Sequence, residues 1–447
     1  MHFALRPVRY RTNPLLTSGR SFSCDDPTAA FHTDTLLSLT EVTMVQFRRH
    51  DNAHWYHETQ RSGGILAVPM TNVHCSDNSF NINHLSHDEN TSGQDAFLLG
   101  LAEGIPVTLD NALQHHAPIL RASVAMYQVL FPVIVEPAHD NTFSLYDRLS
   151  SALTVAQVTG VQRLCSHYAA RLTPLSSPDA SRESNMRLTQ ITQYARQLAS
   201  QPTLIDRHAL QQLAEVGLTH ADIIVLTQII GFIGYQARVV AGLSAQAGYP
   251  TVMLPGFPRM EDATADQLPQ IESRWQGWLP ELVATPTEPQ VNTALTLNQL
   301  LAYHPLSSHA YNAITAQVDK LQLVTSDLAP TVWHEWVSLV SSRINGSLFC
   351  QAYHQHNLQQ LTEGSSLLAA LQIGVDCALA SQTDEQITHQ LIYVSAELTR
   401  APERFSQQHI SPLLTLGISN EQLLSVIFNT ATAGWANRLR HTLGHAA

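Results

Sequence analysis

From Phe97 onward apolar residues recur at the spacing of one helix face, as in Leu113, Ile119, Val124, Tyr127 and Leu130, and then along the stretch 145–172. Strand-like alternation is nearly absent, so the pattern predicts an all-α protein. Residues 1–95 show no sustained periodicity. Within them Thr71 to Asp95 is a Ser/Asn/Asp/His mixture that buries little apolar surface, and an irregular N-terminal extension is expected. A helical segment over 96–247 is then followed by a proline-rich stretch, 248–295, carrying Pro250, Pro255, Pro258, Pro269, Pro280, Pro286 and Pro289. Trp275 and Trp278 within it predict a linker that docks, because exposed tryptophans are costly. Helical spacing resumes near Leu297 and defines a second helical segment, 296–447.

An internal repeat links the two helical segments. Gly217-Leu218-Thr219 through Gly234-Tyr235-Gln236-Ala237-Arg238 to Leu243 returns, 200 residues later, as Gly417-Ile418-Ser419 through Gly434-Trp435-Ala436-Asn437-Arg438 to Leu443. Each copy reads as a helix stopped by glycine, a Thr or Ser N-cap, and a long apolar helix whose inner glycine lets a neighbour approach. Tyr194 and Pro202 find approximate echoes in Tyr393 and Pro402.

Composition narrows the classes. The net charge is −12, and no basic run tracks phosphates, which argues against nucleic-acid or anionic-membrane binding. Charged residues make up 13% of the chain, against roughly 25% in typical soluble domains, so Gln, Asn, Ser, Thr and 23 histidines supply much of the polar surface. The apolar stretch Ile223 to Tyr235 is interrupted by Thr227 and Gln228 and closed by Gln236 and Arg238, short of the ~20 residues a membrane helix needs. The first twenty residues carry Arg6, Arg9, Arg11 and Arg20 without an acid but lack a signal core, and Met44 is an alternative start. Five cysteines, at 24, 75, 165, 350 and 377, form neither a paired framework nor a CxxC zinc pattern, which favours a reducing, cytoplasmic setting.

Candidate chemistry gathers in one region. Pro330 suits the first turn of a helix, with Asp327 as cap candidate; Trp333, Val337, Val340 and Ile344 then share a stripe that Glu335 falls off. Asn345-Gly346 breaks that helix. In the next one Ser347, Cys350, His354 and Leu358 lie on a single face, and Cys350 sits in the first turn, where the helix dipole lowers a thiol's pKa. A metal reading would recruit His354, His356, Cys350 and His334, but without a second ligand pair no metal and no cofactor is assigned.

The segment from Glu335 through Asn345-Gly346-Ser347-Leu348-Phe349-Cys350 to His354 resembles the core motif of the carboxymuconolactone decarboxylase and AhpD-like alkylhydroperoxidase superfamily. That motif is a glutamate followed, across two helices, by Asn-Gly-Cys-x-x-Cys-x-x-x-His. With the repeat, the resemblance spans roughly 97–443 and implies two fused AhpD-like helical domains; with Asn52 to Gln60 it looks like the two-copy YciW-type oxidoreductases. It implies that Cys350 is the peroxide-reactive cysteine, with His354 and Glu335 as its proton relay. Ser347 stands where the first cysteine of the family's pair would be, so resolution falls to an external thiol or to Cys377. The implied partners are a small peroxide or thiol substrate and an external thiol reductant, with homo-oligomer formation left open.

In the first copy, matching Thr159-Gly160 to Asn345-Gly346 puts Leu149, Leu164 and Tyr168 at the positions of Glu335, Cys350 and His354. Cys165 and His167 are nearby, but two residues apart on a helix they point about 200° apart. That copy is expected to be silent and structural, supplying half of a pseudo-symmetric interface. Two alternatives remain: a non-catalytic binding or regulatory protein of thiol or sulfur metabolism, which Ser347 favours, and a lactone decarboxylase using acid–base groups alone.

Overall fold

Side-chain caps and glycine stops divide the chain into helices. Ser144, Thr219 and Ser419 each accept a hydrogen bond from the backbone N–H three residues on, and Asp147, Asp222 and Gln422 return the bond as capping boxes. The structure is a computed structural model that describes residues 96–136, 138, 141–252, 257–264, 275–279, 293–323, 329–362 and 364–446, all within one compact unit. The expectations for residues 1–95, for Asp327 and for Pro255, Pro269, Pro280, Pro286 and Pro289 lie outside the described residues.

The described chain is all-α apart from one short β-pair. Its helices are α1 (Val107–His115), α2 (Ala117–Leu130), α3 (Leu145–Thr159), α4 (Gln162–Leu172), α5 (Arg182–Ser200), α6 (Arg207–Glu215) and α7 (His220–Gln246), then α8 (Thr293–Leu301), α9 (Pro305–Leu323), α10 (Ala329–Asn345), α11 (Leu348–Leu361), α12 (Ser366–Ile373), α13 (Val375–Ala380), α14 (Gln386–Arg400), α15 (Gln407–Thr415) and α16 (Asn420–Leu443). A 3₁₀ turn, Pro202–Leu204 or Pro402–Arg404, follows α5 and α14 respectively. The strands β1 (Trp275–Gly277) and β2 (Gly444–Ala446) pair antiparallel, with Trp275 opposite Ala446.

The central packing is α7 against α16. A Cβ on Gly231 would lie 1.9 Å from Trp435 Cδ1, and one on Gly242 would lie 2.7 Å from Ile427 Cδ1, so these two glycines let the helix axes close. This corrects the expected role of Gly234 and Gly434, which face the Arg238 and Arg438 guanidinium groups instead. Arg238 Nη1 donates to Gly234 O at 2.8 Å and its Nη2 to Thr399 O at 2.7 Å, at the C-terminal end of α14. Arg438 Nη1 donates to Gly434 O at 2.8 Å, while its Nε and Nη2 reach Leu198 O and Ala199 O, at the end of α5. Each arginine thus satisfies terminal carbonyls of a helix from the other half of the chain.

Helix α7 is long and apolar enough by length and composition to cross a membrane, and its apolar window is wholly buried within the protein. The stretch does not close at Gln236 and Arg238 as expected. Gln236 Nε2 donates to Phe97 O at 2.7 Å and Arg238 is paired as above, so both polar residues stay inside the core. The large apolar cluster joins residues of both halves, from Phe97 to Leu443, and a smaller one around Trp336, Ile344, Leu358 and Leu367 fills the space between α10, α11, α12 and α14. The described parts of the linker dock as expected. Trp275 is buried and donates to Arg440 O, Met260 N donates to Arg400 O, and Ala263 N donates to Ile344 O.

Candidate active site at the α10–α11 corner

The corner is forced by Gly346. Its φ of +74° is a left-handed conformation, and a Cβ there would lie 2.4 Å from Thr203 Cγ2 and 2.8 Å from Ala263 Cβ, so another residue fails on both counts. The turn folds α11 back beside α10 and brings residues 335 and 354 together.

Helix α10 is buried on more than the expected stripe: Val337 enters the large cluster, while Trp336, Val340 and Ile344 enter the small one. Glu335 lies off both and is nevertheless buried. Its Oε2 is 2.7 Å from His354 Nδ1, and its Oε1 accepts from Asn357 Nδ2 at 3.0 Å. Burial opposes its ionisation, but the hydrogen bond and charge of His354, the charge of His334 and the Asn357 bond outweigh it and hold the carboxyl below the usual range. His334, the neighbouring residue on α10, packs its ring 6.0 Å from that of His354 and hydrogen-bonds Asn429 Oδ1 through Nδ1 at 2.9 Å. Loss of surrounding water, then the charge of His354, push its pKa down to about 4. Tyr353, largely exposed, sets its ring edge-on to His354 at 5.2 Å. On the rim, the Asp319 carboxyl of α9 is pushed up by lost hydration and by the charge of Glu335.

Cys350 is buried in the first turn of α11. The expectation that this turn lowers its pKa is corrected: burial pushes the thiol up, and the charge of Arg440 with the Ser347 hydrogen bond offsets only part of the effect. Ser347 thus bonds the thiol while capping no backbone N–H of α11. The Arg440 guanidinium stacks 5.0 Å over the Phe349 ring, and its Nη1 is buried with no hydrogen-bond partner among the described residues. Tyr311 of α9 shares this environment, and burial first, then the nearby thiol, raises its hydroxyl.

Among the sequence candidates, Glu335 and His354 are in direct contact, and Cys350 lies one turn before His354 on the same helix. Cys377 is on α13, which packs against α12, α14 and α10. Asn357, one turn after His354, was legible as a same-face partner; Asn429 and Arg440, on α16, carried no local signal. At the turn between α3 and α4 Gly160 also has positive φ, +69°, but Leu149, Leu164 and Tyr168 on those helices are buried, and Tyr168 Oη donates to Gln236 Oε1 at 2.6 Å. His167 pairs with Tyr127 Oη, and burial pushes the Cys165 thiol up to about 11.

No family model matches the chain, and no curated protein is significantly similar to it.

Proposed function

We propose that the chain is a thiol-dependent peroxidase built from two fused AhpD-like helical units, with chemistry confined to the second. The observation that carries this is the buried Glu335–His354 hydrogen bond of 2.7 Å, one helical turn from a buried thiol. Cys350 Sγ passes its proton towards the His354–Glu335 pair and attacks one peroxide oxygen; the O–O bond breaks, and the departing alkoxide takes a proton to leave as the alcohol. Cys350 becomes a sulfenic acid. One external thiol condenses with it and releases water, and a second frees Cys350 and leaves as the disulfide. The orphan Arg440 N–H offers a donor to the departing or sulfenate oxygen. Because burial keeps the thiol protonated, proton removal is the step that the relay must accelerate.

Duplication is supported by the shared order of elements, α3–α4–α5–3₁₀–α6–α7 against α10–α11–α14–3₁₀–α15–α16, with α12 and α13 added in the second half. The reciprocal Arg238 and Arg438 contacts support it further. The first half, with leucines and tyrosine at the three site positions, is the silent copy. Ser347 favours the rival reading, a binding or regulatory protein, because no vicinal disulfide can form.

Stoichiometric peroxide and a sulfenic-acid trap separate the two. Rapid labelling at Cys350 is expected, abolished in Cys350→Ser and slowed in His354→Ala and Glu335→Gln. Labelling no faster than that of a free thiol overturns the peroxidase reading.

A further inference from the structure

We infer that His334, Glu335 and His354 form a binding site for a divalent first-row transition-metal ion. One donor atom from each residue lies within 4.8 Å of the other two. All three residues stand on α10 and α11, whose relative position the Gly346 corner fixes. A tetrahedral ion with bonds near 2.0–2.1 Å holds its donors about 3.3 Å apart, so side-chain movements of about 1 Å close the set.

The hydrogen bonds around the cluster leave donors free in the required sense. His334 Nδ1 donates to Asn429 Oδ1 at 2.9 Å, and an amide oxygen only accepts, so the proton sits on Nδ1 and Nε2 keeps its lone pair. A ligating histidine is oriented in this manner, its second ring nitrogen held by an oxygen on another element. His354 Nδ1 and Glu335 Oε2, 2.7 Å apart, share a proton, and the ion takes that proton's place between them while Asn357 holds Oε1. The Asp319 carboxyl, within electrostatic reach of Glu335, adds negative charge at the rim. Two imidazoles and one carboxylate with an open position for water is a donor set that suits zinc or iron(II) and suits magnesium or calcium poorly.

The inference does not rest on the peroxidase reading: Cys350 is not a ligand, and His334 has no part in the proposed relay. The two meet at His354 and Glu335, so an ion bound there removes the relay from Cys350.

The test titrates chelator-stripped, reduced full-length protein with cobalt(II), followed by visible absorption, and with zinc(II), followed by calorimetry. One tight site per chain is expected, with a cobalt d–d band and no thiolate charge-transfer band. Affinity is expected to fall at least tenfold in His334→Gln and Glu335→Gln, and 10–100-fold in Asn429→Ala, which disturbs only the orientation of His334. Cys350→Ser and His356→Ala are expected to bind like the parent. Far-UV circular dichroism of each metal-free variant checks that the helices persist; if His334→Gln loses them, Asn429→Ala decides. Unchanged affinity in a folded His334→Gln and in Asn429→Ala, or loss of the cobalt band in Cys350→Ser, overturns the site. Since these readouts ignore peroxide and sulfenic-acid labelling ignores metal, either reading can fail without the other.

Discussion

Removing the imidazole from the Glu335–His354 pair should destabilise the protein more than removing the charge it binds. The two side chains are only 8% and 15% exposed, and their 2.7 Å contact joins α10 to α11. His354→Ala leaves an ionised carboxylate in the interior with a single bond from Asn357, a change that costs about 3–5 kcal/mol for a buried pair. Glu335→Gln removes the charge but keeps a hydrogen-bonding partner for both His354 and Asn357, and costs about 1–2 kcal/mol. A double-mutant cycle should therefore return a coupling of about 1.5–3 kcal/mol, read from urea unfolding at pH 7 by far-UV circular dichroism. Since Glu335 is held below its ordinary pKa, its stabilising share is complete above the unfolded value and is lost as pH falls through the folded one. The coupling should shrink on acidification in that window. A coupling under about 0.5 kcal/mol at pH 7, the size seen for exposed pairs, would refute the buried-pair reasoning.

Gly231→Ala should destabilise although alanine is the better helix former by about 1 kcal/mol, because its Cβ would meet Trp435 Cδ1 at 1.9 Å and disturb the indole bond to Gln228. A net loss of about 2 kcal/mol in urea midpoint analysis is expected, and a neutral or stabilised variant would show that α7 and α16 are not in close contact. His167, His304 and His334 are each pushed down to about 4, mainly by burial, so the unfolded chain takes up protons that the native one refuses between pH 6.5 and 4. Stability should fall through that window with a slope steeper than the ~1.4 kcal/mol per pH unit of a single group, and an unfolding midpoint unchanged from pH 6.5 to 4.5 would contradict it.

The helices, their caps and the glycine stops were legible because they depend on neighbours in sequence: Thr219 with Asp222, Ser419 with Gln422, and the positive φ at Gly217 and Gly417. The membrane-length estimate for 223–235 went astray because Gln236 and Arg238 look like surface residues until their partners, Phe97 O and Thr399 O, are known. Both partners lie more than a hundred residues away. The stripe on α10 is buried as read but is not the whole buried surface, for a related reason: a helix packed on several sides has no single apolar face, so Trp336 is as buried as Val337. At the site, the Glu335–His354 contact followed from the family resemblance and not from local pattern, since the two residues stand 19 apart on separate helices. The raised thiol did not, since the helix dipole can be read from sequence, whereas the burial that overrides it cannot.

The two corners show what the scaffold itself requires. If the halves are duplicates, as proposed, the same left-handed glycine, Gly160 or Gly346, supports an apolar plug of Leu149, Leu164 and Tyr168 in one and Glu335, Cys350 and His354 in the other. Burying polar groups costs about 1–3 kcal/mol each unless they are well bonded, and the first half demonstrates that the fold closes without them. A structural account of the second corner must therefore explain why a carboxylate, an imidazole and a thiol occupy a place that leucine fills elsewhere in the same chain. Their hydrogen bonds answer only part of that, because Arg440 Nη1, whose charge acts on the thiol, is left unpartnered. Unused hydrogen-bonding capacity at a buried polar cluster is what a site for a ligand requires, and at this corner Gln351 Nε2 of α11 and Arg440 Nη1 of α16 supply it.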